Sequence, residues 1–511
     1  MTRDAAAIGA GLEPARDPRP IRAGERIHVV GAAGAGASAA ALLAHWAGAE
    51  TSGCDAGGPS PYTPPLEAAG IRLQWRHDPS HVAGPRPPNR LAVTKALTAV
   101  APDHPELAAA RAAGIPLEPW QQLVADAAFG RTLVAVAGTH GKSTSAGWLV
   151  HLLVGAGLDP SAFVGALLPG ALTGGIPATA RSGSGDAFVV EADEYAGNFD
   201  PYRPAISLVT SLEWDHPDVF ADREAVVVAF ERWIRRSRAG AAEEPPTLVA
   251  NVGDPGVAEL VGRLADWHGT IVAVALGGRP AANFASNAGE ARVVDARIVA
   301  ADRGGTTIEI DGLDDHERIT ARLPTAGRHN AANALGVAAV AGVLGATPAA
   351  IRNGLESFPG VGRRLERKGE AAGVVVYDDY GHHPTAIRET IAAIRQREPG
   401  RRVWAVHEPL TYHRTAALLD ELAGALATAD AVAVADIWAG RDPDTTVASA
   451  TRVARAVAAR RSNLTVGAPG SVEATATWLA GEVQTGDAVL VMGGGRSYRI
   501  GELLLELLEA R

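Results

Sequence analysis

With 511 residues and 47% hydrophobic side chains, the chain is too long for one core and divides most naturally into about three domains of roughly 150 residues. A net charge of −10, with no long basic run, excludes non-specific nucleic-acid or membrane-surface binding as a main role. The single cysteine, Cys54, excludes an intramolecular disulfide framework, fits a reducing compartment, and reads as a small buried residue.

Residues 1–24 carry Arg, Asp and Pro without the apolar segment of a secretory signal, and read as a flexible extension. The longest apolar run, Ala334 to Ala346, is Gly-interrupted and shorter than a bilayer span. A cytoplasmic location is therefore expected. Ile27 to Val30 reads as a buried strand entering a Gly-rich turn with Gly31, Gly34, Gly36 and Ser38, followed by an Ala/Leu helix. Asp55 follows Gly36 by about the twenty residues expected of a ribose-binding acid in a dinucleotide domain, a weak pattern when alone.

A second strand, Leu133 to Ala137, runs into Gly138-Thr139-His140-Gly141-Lys142-Ser143-Thr144 and another helix. Such a turn aims backbone N–H groups and a helix N-terminus at one point, which suits a phosphate. Lys142 adds a compact positive charge, and Ser143 adds a hydroxyl for Mg²⁺. The general phosphate-loop pattern fails only at its first glycine, where Val136 stands. Phe188 to Glu191 is then an apolar strand that ends in Glu191, Asp193 and Glu194, an acidic group that is costly without a cation. Ile206 to Thr210 delivers Glu213-Trp214-Asp215-His216-Pro217-Asp218, and His216 is a second candidate metal ligand.

The segment from Pro280 to Asp314 reads as antiparallel, with Ala291 to Ala300 and Thr306 to Ile310 joined at Gly304-Gly305. Further strands are expected at Gly373 to Tyr377, Arg402 to Val406, Ala431 to Ala435 and Ala488 to Met492. The pattern predicts an α/β protein of three domains. A Rossmann-like domain spans 25–130, a phosphate-loop domain with a parallel sheet and a small antiparallel part spans 131–357, and a second Rossmann-like domain spans 358–511.

Taken together, Ala137 to Ser143, Glu191-Ala-Asp-Glu194, Asp215-His-Pro-Asp218, Gly327-Arg-His-Asn330-Ala-Ala-Asn333 and Asp378-Asp-Tyr-Gly-His-His-Pro384 resemble the Mur ligase family over nearly the whole chain. The opening Ile27 to Gly34, Ser52 to Asp55 and the Arg363-Arg364 pair look most like the members that add L-alanine to UDP-N-acetylmuramate. The resemblance implies ATP-dependent activation of a carboxylate to an acyl phosphate, followed by attack of an amine. ATP and Mg²⁺ are the implied cofactors, and UDP-N-acetylmuramate and L-alanine the implied partners. By position, Lys142 would grip phosphates, Ser143 and Glu191 would hold one Mg²⁺ and His216 a second. His329, Asn330 and Asn333 would contact the adenosine, Asn330 and Asn333 from one helix face. Arg364 would reach the phosphates from the third domain as it closes. Tyr380, His382, His383 and Arg414 would handle the amino acid and intermediate, while Gly31, Gly34, Gly36, Ser38 and Asp55 would hold the uridine diphosphate.

The resemblance has departures. Glu408-Pro409-Leu410 stands where the alanine-adding members read Gln-Pro-His, Met492 to Arg496 replaces a Gly-Ala-Gly-Asp, Ser211 replaces an Asn, and Thr94 to Leu97 replaces a Ser-rich stretch. No lysine lies between Lys142 and Lys368, which argues against members that use a carbamylated lysine. The alternatives are a recycling ligase that attaches a murein tripeptide to the same sugar nucleotide, and a non-catalytic nucleotide-binding partner of cell-wall proteins.

Overall fold

The computed structural model describes residues 5–240, 244–280, 283–313, 318–440, 442 and 444–510. Five parallel strands open the chain: β1 Arg26–Val30, β2 Glu50–Cys54, β3 Arg72–Gln74, β4 Arg90–Val93 and β5 Leu117–Pro119, in the order β3-β2-β1-β4-β5. The central sheet takes β6 Thr132–Ala137, β7 Ser161–Leu168, β8 Ala178–Arg181, β9 Ala187–Ala192, β10 Ile206–Val209, β11 Thr247–Asn251 and β12 Thr270–Leu276. A short hairpin, β13 Ala285–Ser286 and β14 Gly289–Glu290, precedes β15 Arg292–Asp302, β16 Gly305–Asp311 and β17 Ile319–Leu323. The order is β17-β16-β15-β12-β11-β10-β6-β9-β7-β8, parallel from β15 to β7 and antiparallel at both ends. The third sheet, β18 Glu366–Ala371, β19 Val374–Asp379, β20 Val403–Glu408, β21 Ala431–Ala435, β22 Thr465–Gly470 and β23 Ala488–Gly493, runs β18-β19-β23-β20-β21-β22.

The expected α/β class with parallel sheets and a small antiparallel part is the observed one. β6 shows why its apolar run is unbroken. Leu133, Ala135 and Ala137 enter one core, and Val134 and Val136 enter another on the opposite face. A strand covered on both sides by helices has no solvent face to mark with polar residues. The antiparallel pair read within 280–314 is β15 and β16; residues 281, 282 and 314 lie outside the described set.

Two expectations change. Residues 5–24 of the expected extension are not free, and residues 1–4 lie outside the described set. Ile8 is buried with Tyr195 and Ala196 of the central unit, and the Glu13 N–H donates to Leu117 O at the edge strand β5. Arg16 pairs with Glu118 at 2.8 Å and Asp126 at 2.7 Å, two carboxylates shared with the buried Arg90. Charged and small residues hide this docking from a hydrophobicity reading, because the partners lie more than a hundred positions away. Second, the turn at Phe358 is still part of the central core: its ring stacks on Trp148 at 4.5 Å, and Val361 packs against Gly147. No helix among the described residues is long and apolar enough to cross a membrane.

His407 on β20 is buried, and that burial pushes its imidazole down to about 4. An unfolded chain binds this proton near its ordinary value of about 6.5. Stability is therefore complete above that pH and is lost as pH falls toward 4, by up to roughly 3 kcal/mol for this group. Urea midpoints measured across the window are expected to fall with acid in the parent and to fall less in His407→Leu; parallel curves would exclude His407 as the cause.

Candidate active site

A cleft of about 690 Å³ is lined by residues from all three units. Its centre lies beyond the carboxyl ends of β6, β9, β10, β11 and β12, the crevice in which parallel sheets bind ligands. The turn after β6 passes through Gly138 at φ +134° and Gly141 at φ +81° before the helix Lys142–Gly155 begins. Gly141 is needed for space as well as for its dihedral. A Cβ there would stand 2.4 Å from Asn333 Oδ1, so the missing side chain lets Asn333 approach the turn.

Lys142 Nζ donates to Gly138 O at 2.6 Å and to Glu194 Oε2 at 3.2 Å. Burial opposes the ammonium charge, but Glu194, Asp193 and Glu191 outweigh it and hold its pKa above the ordinary value. Burial, with Asp193 and Asp215 adding to it and Lys142 opposing, pushes Glu194 up to about 7. Lys142 thus stays charged. Ser143 Oγ donates to Glu191 Oε1 at 2.9 Å, and the other Glu191 oxygen accepts from the Gly165 N–H at 2.6 Å. The donor atoms of Asp193, Glu194 and His216 lie within 4.8 Å of one another. His216 takes φ +55°, a left-handed conformation that a non-glycine residue holds at a cost of about 1–3 kcal/mol and that is concentrated at functional sites.

The rest of the loop is tied to the segment after β10. Thr139 Oγ1 accepts from Glu213 N at 2.9 Å, the His140 N–H donates to Ser211 Oγ at 3.0 Å, and His140 Nε2 lies 3.0 Å from Glu213 Oε2. Ser211, one of the sequence departures, therefore still supports the loop. Thr144 and His329 line the cleft with Asn333, but Asn330 does not. Its Nδ2 donates to Ala326 O at 2.8 Å, just before the helix begins, so of the two amides only Asn333 faces the cleft. Asn251, Asp254, Leu276 and Arg328 complete this end and were missed, since nothing local in the sequence distinguishes them.

The third unit reaches into the cleft by several arms. Arg364 Nη2 donates to Ser143 Oγ at 2.7 Å and its guanidinium lies over the Tyr380 ring at 4.8 Å. Arg364 thus stands beside the N-terminus of helix Lys142–Gly155. Its neighbours Arg363 and Leu365 both take positive φ, +58° and +51°, and are held by Glu366 and Asp379 through their backbone N–H groups. Arg363 itself points back to Asp378, Gly493 O and Ser497. Arg414 Nε donates to Asp215 Oδ1 at 2.7 Å, both side chains being buried. Burial works against the Asp215 charge, yet Arg414 and His216 draw its pKa well below the carboxylate range. His383 Nδ1 lies 3.3 Å from Glu213 Oε2, and Thr385 Oγ1 donates to Glu213 Oε1 at 3.1 Å. Burial, reinforced by His140, lowers His383 to about 4; burial, reinforced by Arg414, lowers His382 well below its usual value. Both rings are neutral at pH 7.

The first unit supplies Ala35, Gly36, Tyr62, Trp120 and Gln121. A Cβ on Gly36 would strike the Trp120 indole at 2.2 Å. Gly31 and Gly34 shape the turn behind it. Asp55 accepts from Ala33 N of that turn at 3.0 Å with one oxygen and from Gly57 N, two residues on in its own turn, at 2.8 Å with the other. Ser38 does not face the cleft: it is wholly buried, donating to Ala35 O and lying 3.1 Å from Thr179 Oγ1 of β8. Of the remaining departures, Leu410 lines the cleft beside Tyr380, whereas Arg496 points to Glu473 at 3.3 Å, away from it. Thr94 accepts from Ala96 N as the cap of helix Lys95–Val100.

Three family descriptions match successive parts of the chain: the Mur ligase family catalytic domain at residues 26–131, the Mur ligase middle domain at 136–341 and the Mur ligase glutamate ligase domain at 363–495. The UDP-N-acetylmuramate–L-alanine ligase of Kineococcus radiotolerans is 39% identical over 487 residues, 95% of this chain and 97% of that protein. The protein of the same name from Frankia casuarinae is 36% identical over 515 residues, 95% and 98% of the two chains. Among solved structures, the UDP-N-acetylmuramate-alanine ligase of Thermotoga maritima has the same fold, with a TM-score of 0.73, 21% identity and coverage of 95% of this chain and 99% of that one. A murein peptide ligase from Psychrobacter arcticus gives a TM-score of 0.70 at 23% identity, over 96% and 99%.

Proposed function

Because the chain belongs to the Mur ligase family, we propose that it joins L-alanine to the lactyl carboxylate of UDP-N-acetylmuramate, with conversion of ATP to ADP and phosphate. In this reaction a carboxylate oxygen attacks the γ-phosphorus, the bond to the ADP oxygen breaks, and an acyl phosphate forms. The alanine amine then attacks the acyl carbon, phosphate leaves, and the nitrogen gives up a proton. The observation that carries the reading is the Ser143 hydroxyl set between Glu191 at 2.9 Å and Arg364 at 2.7 Å, beside the Lys142 ammonium. Two cations and a metal-ligand pair at one helix N-terminus suit the charge that spreads over a transferring phosphoryl group.

The parts divide the work by position. Residues 25–130 take the sugar nucleotide, with Gly36, Tyr62 and Trp120 at the cleft. Residues 131 to about 361 take ATP, and the remainder take the amino acid, with Tyr380, His382, Leu410 and Arg414 around it. Ser143, Glu191 and His216, with Asp193 and Glu194 beside them, offer hydroxyl, carboxylate and imidazole donors that fit Mg²⁺. A bound Mg²⁺ supplies charge neutralisation to the polyphosphate. Lys142 and Arg364 orient the same group, and His382 and His383, which burial keeps neutral, add no positive charge beside the incoming amine.

Phosphate release is the test, with ATP, Mg²⁺ and UDP-N-acetylmuramate present and candidate amines added singly. Release that requires both the sugar nucleotide and L-alanine is expected. Release only with the murein tripeptide would assign the chain to recycling, and no release with any amine would leave a nucleotide-binding partner.

A further inference from the structure

Behind the first sheet lies a second group of chemically capable side chains that the ligation reaction does not use. On β1, Val29 faces the core beneath helix Ala35–Trp46, whereas His28 and Val30 face the other way, toward helix Pro105–Ala112. There His28 meets Cys54 from the end of β2, His77 and His81 from the segment after β3, and Glu106 from that helix. None of these five lines the cleft.

The distances are short and mutual. His28 Nε2 is 3.3 Å from Cys54 Sγ and 3.1 Å from Glu106 Oε1. His81 Nδ1 is 3.0 Å from the same Glu106 oxygen. Cys54 Sγ is 3.4 Å from Glu106 Oε2 and 3.2 Å from His77 Nδ1, which is itself 3.6 Å from Glu106 Oε2. Ligands set tetrahedrally at zinc bond lengths stand roughly 3.3–3.7 Å apart, close to this spacing. Cys54 and Glu106 are 0% exposed, and the surrounding core is Val30, Val82, Val93 and Leu107. A carboxylate is costly in such a place unless a positive charge answers it.

The outer ring nitrogens are also engaged. His81 Nε2 lies 2.9 Å from Gln74 Oε1, an acceptor, so the proton belongs on Nε2 and Nδ1 turns a lone pair toward Glu106. His28 Nδ1 is likewise held by Ser52 Oγ at 2.9 Å. A lone pair facing a carboxylate oxygen needs a proton or a cation between them. This arrangement, in which the far nitrogen of each imidazole is fixed by a neutral partner, is how metal-binding histidines are oriented.

We propose that His28, Cys54, His81 and Glu106 form a binding site for a divalent transition metal of the zinc class, with His77 as a further donor. A thiolate and a carboxylate balance the two positive charges, which makes the group neutral within its apolar core. Binding replaces the Cys54 S–H bond by a sulfur–metal bond, and the proton passes to solvent. Thiolate and imidazole donors select this class over Mg²⁺. The site ties β1, β2, the 77–81 segment and helix Pro105–Ala112 together, away from the reacting groups.

The test uses the full chain, freed of metal by a chelator and titrated with Co²⁺. Cys54 is the only cysteine, so a thiolate-to-cobalt charge-transfer band can arise nowhere else, even if the carboxylates of the cleft also bind the ion. The band is expected to saturate at about one equivalent, to vanish in Cys54→Ser, and to require about tenfold more Co²⁺ in Gln74→Ala, which leaves every donor in place. Protein purified without a histidine tag is expected to carry about one zinc per chain. No charge-transfer band in folded wild-type protein would overturn the proposal and leave a hydrogen-bonded polar cluster; this arm needs no variant to fold.

Discussion

Lys142→Ala and Glu191→Ala are each expected to lower ligation by about 10³-fold while leaving the affinity for UDP-N-acetylmuramate within about twofold. The loss falls on turnover because both groups surround the Ser143 hydroxyl and the mouth of the glycine turn, whereas the proposed sugar-nucleotide residues sit on the first unit. The two variants fail for different reasons. Removing Lys142 takes away a charge held in its protonated form by Glu194, Asp193 and Glu191, and leaves Glu194 buried without its cation. Removing Glu191 frees Ser143 Oγ and the Gly165 N–H that it positions. Steady-state rates with calorimetric titration of the sugar nucleotide separate turnover from binding. Near-parent turnover in either variant would remove the ATP site from this cleft.

Arg414→Ala is expected to lower kcat by at least about 10²-fold and to loosen the third unit on the central one. Its Nε and Asp215 form a buried ion pair across that junction, 199 positions apart in the chain. Deleting one member of a buried pair costs about 3–5 kcal/mol, because the other charge is left without a partner. Asp215 immediately precedes His216, so the disturbance passes directly to a candidate metal ligand. Small-angle scattering is expected to show a larger radius for Arg414→Ala than for the parent, and Arg414→Lys to recover part of both compactness and rate. An unchanged radius together with a raised KM for the amino acid alone would make Arg414 a substrate contact, not a clamp.

The residues that were legible in the sequence and those that were not differ in the distance over which their physics acts. Lys142 and Ser143 stand out because a strand, a glycine turn and a helix start are consecutive, and that order alone aims them at one point. The candidate ligands Glu191 and His216 stand at and after the apolar strands β9 and β10, which the parallel sheet sets on either side of β6. Asn330 lies off the cleft because helix periodicity describes a face but not which neighbour claims the amide, here Ala326 O. Ser38 is placed by a distant contact, since Thr179, which meets its hydroxyl, is 141 positions away.

Cys54 and the docked first segment show the limit most clearly. A lone cysteine and scattered histidines carry no spacing pattern, so their convergence with Glu106 depends on the register of β1 and β2 and on helix Pro105–Ala112 packing across them. Strand and helix order, the glycine turn before Lys142 and the acidic strand ends follow from contacts among near neighbours along the chain. Tertiary structure alone decided that Arg364 reaches Ser143 across 221 positions and that Arg414 locks onto Asp215. Those contacts depend on how three separately built sheets are placed, and no local preference of the chain encodes that placement.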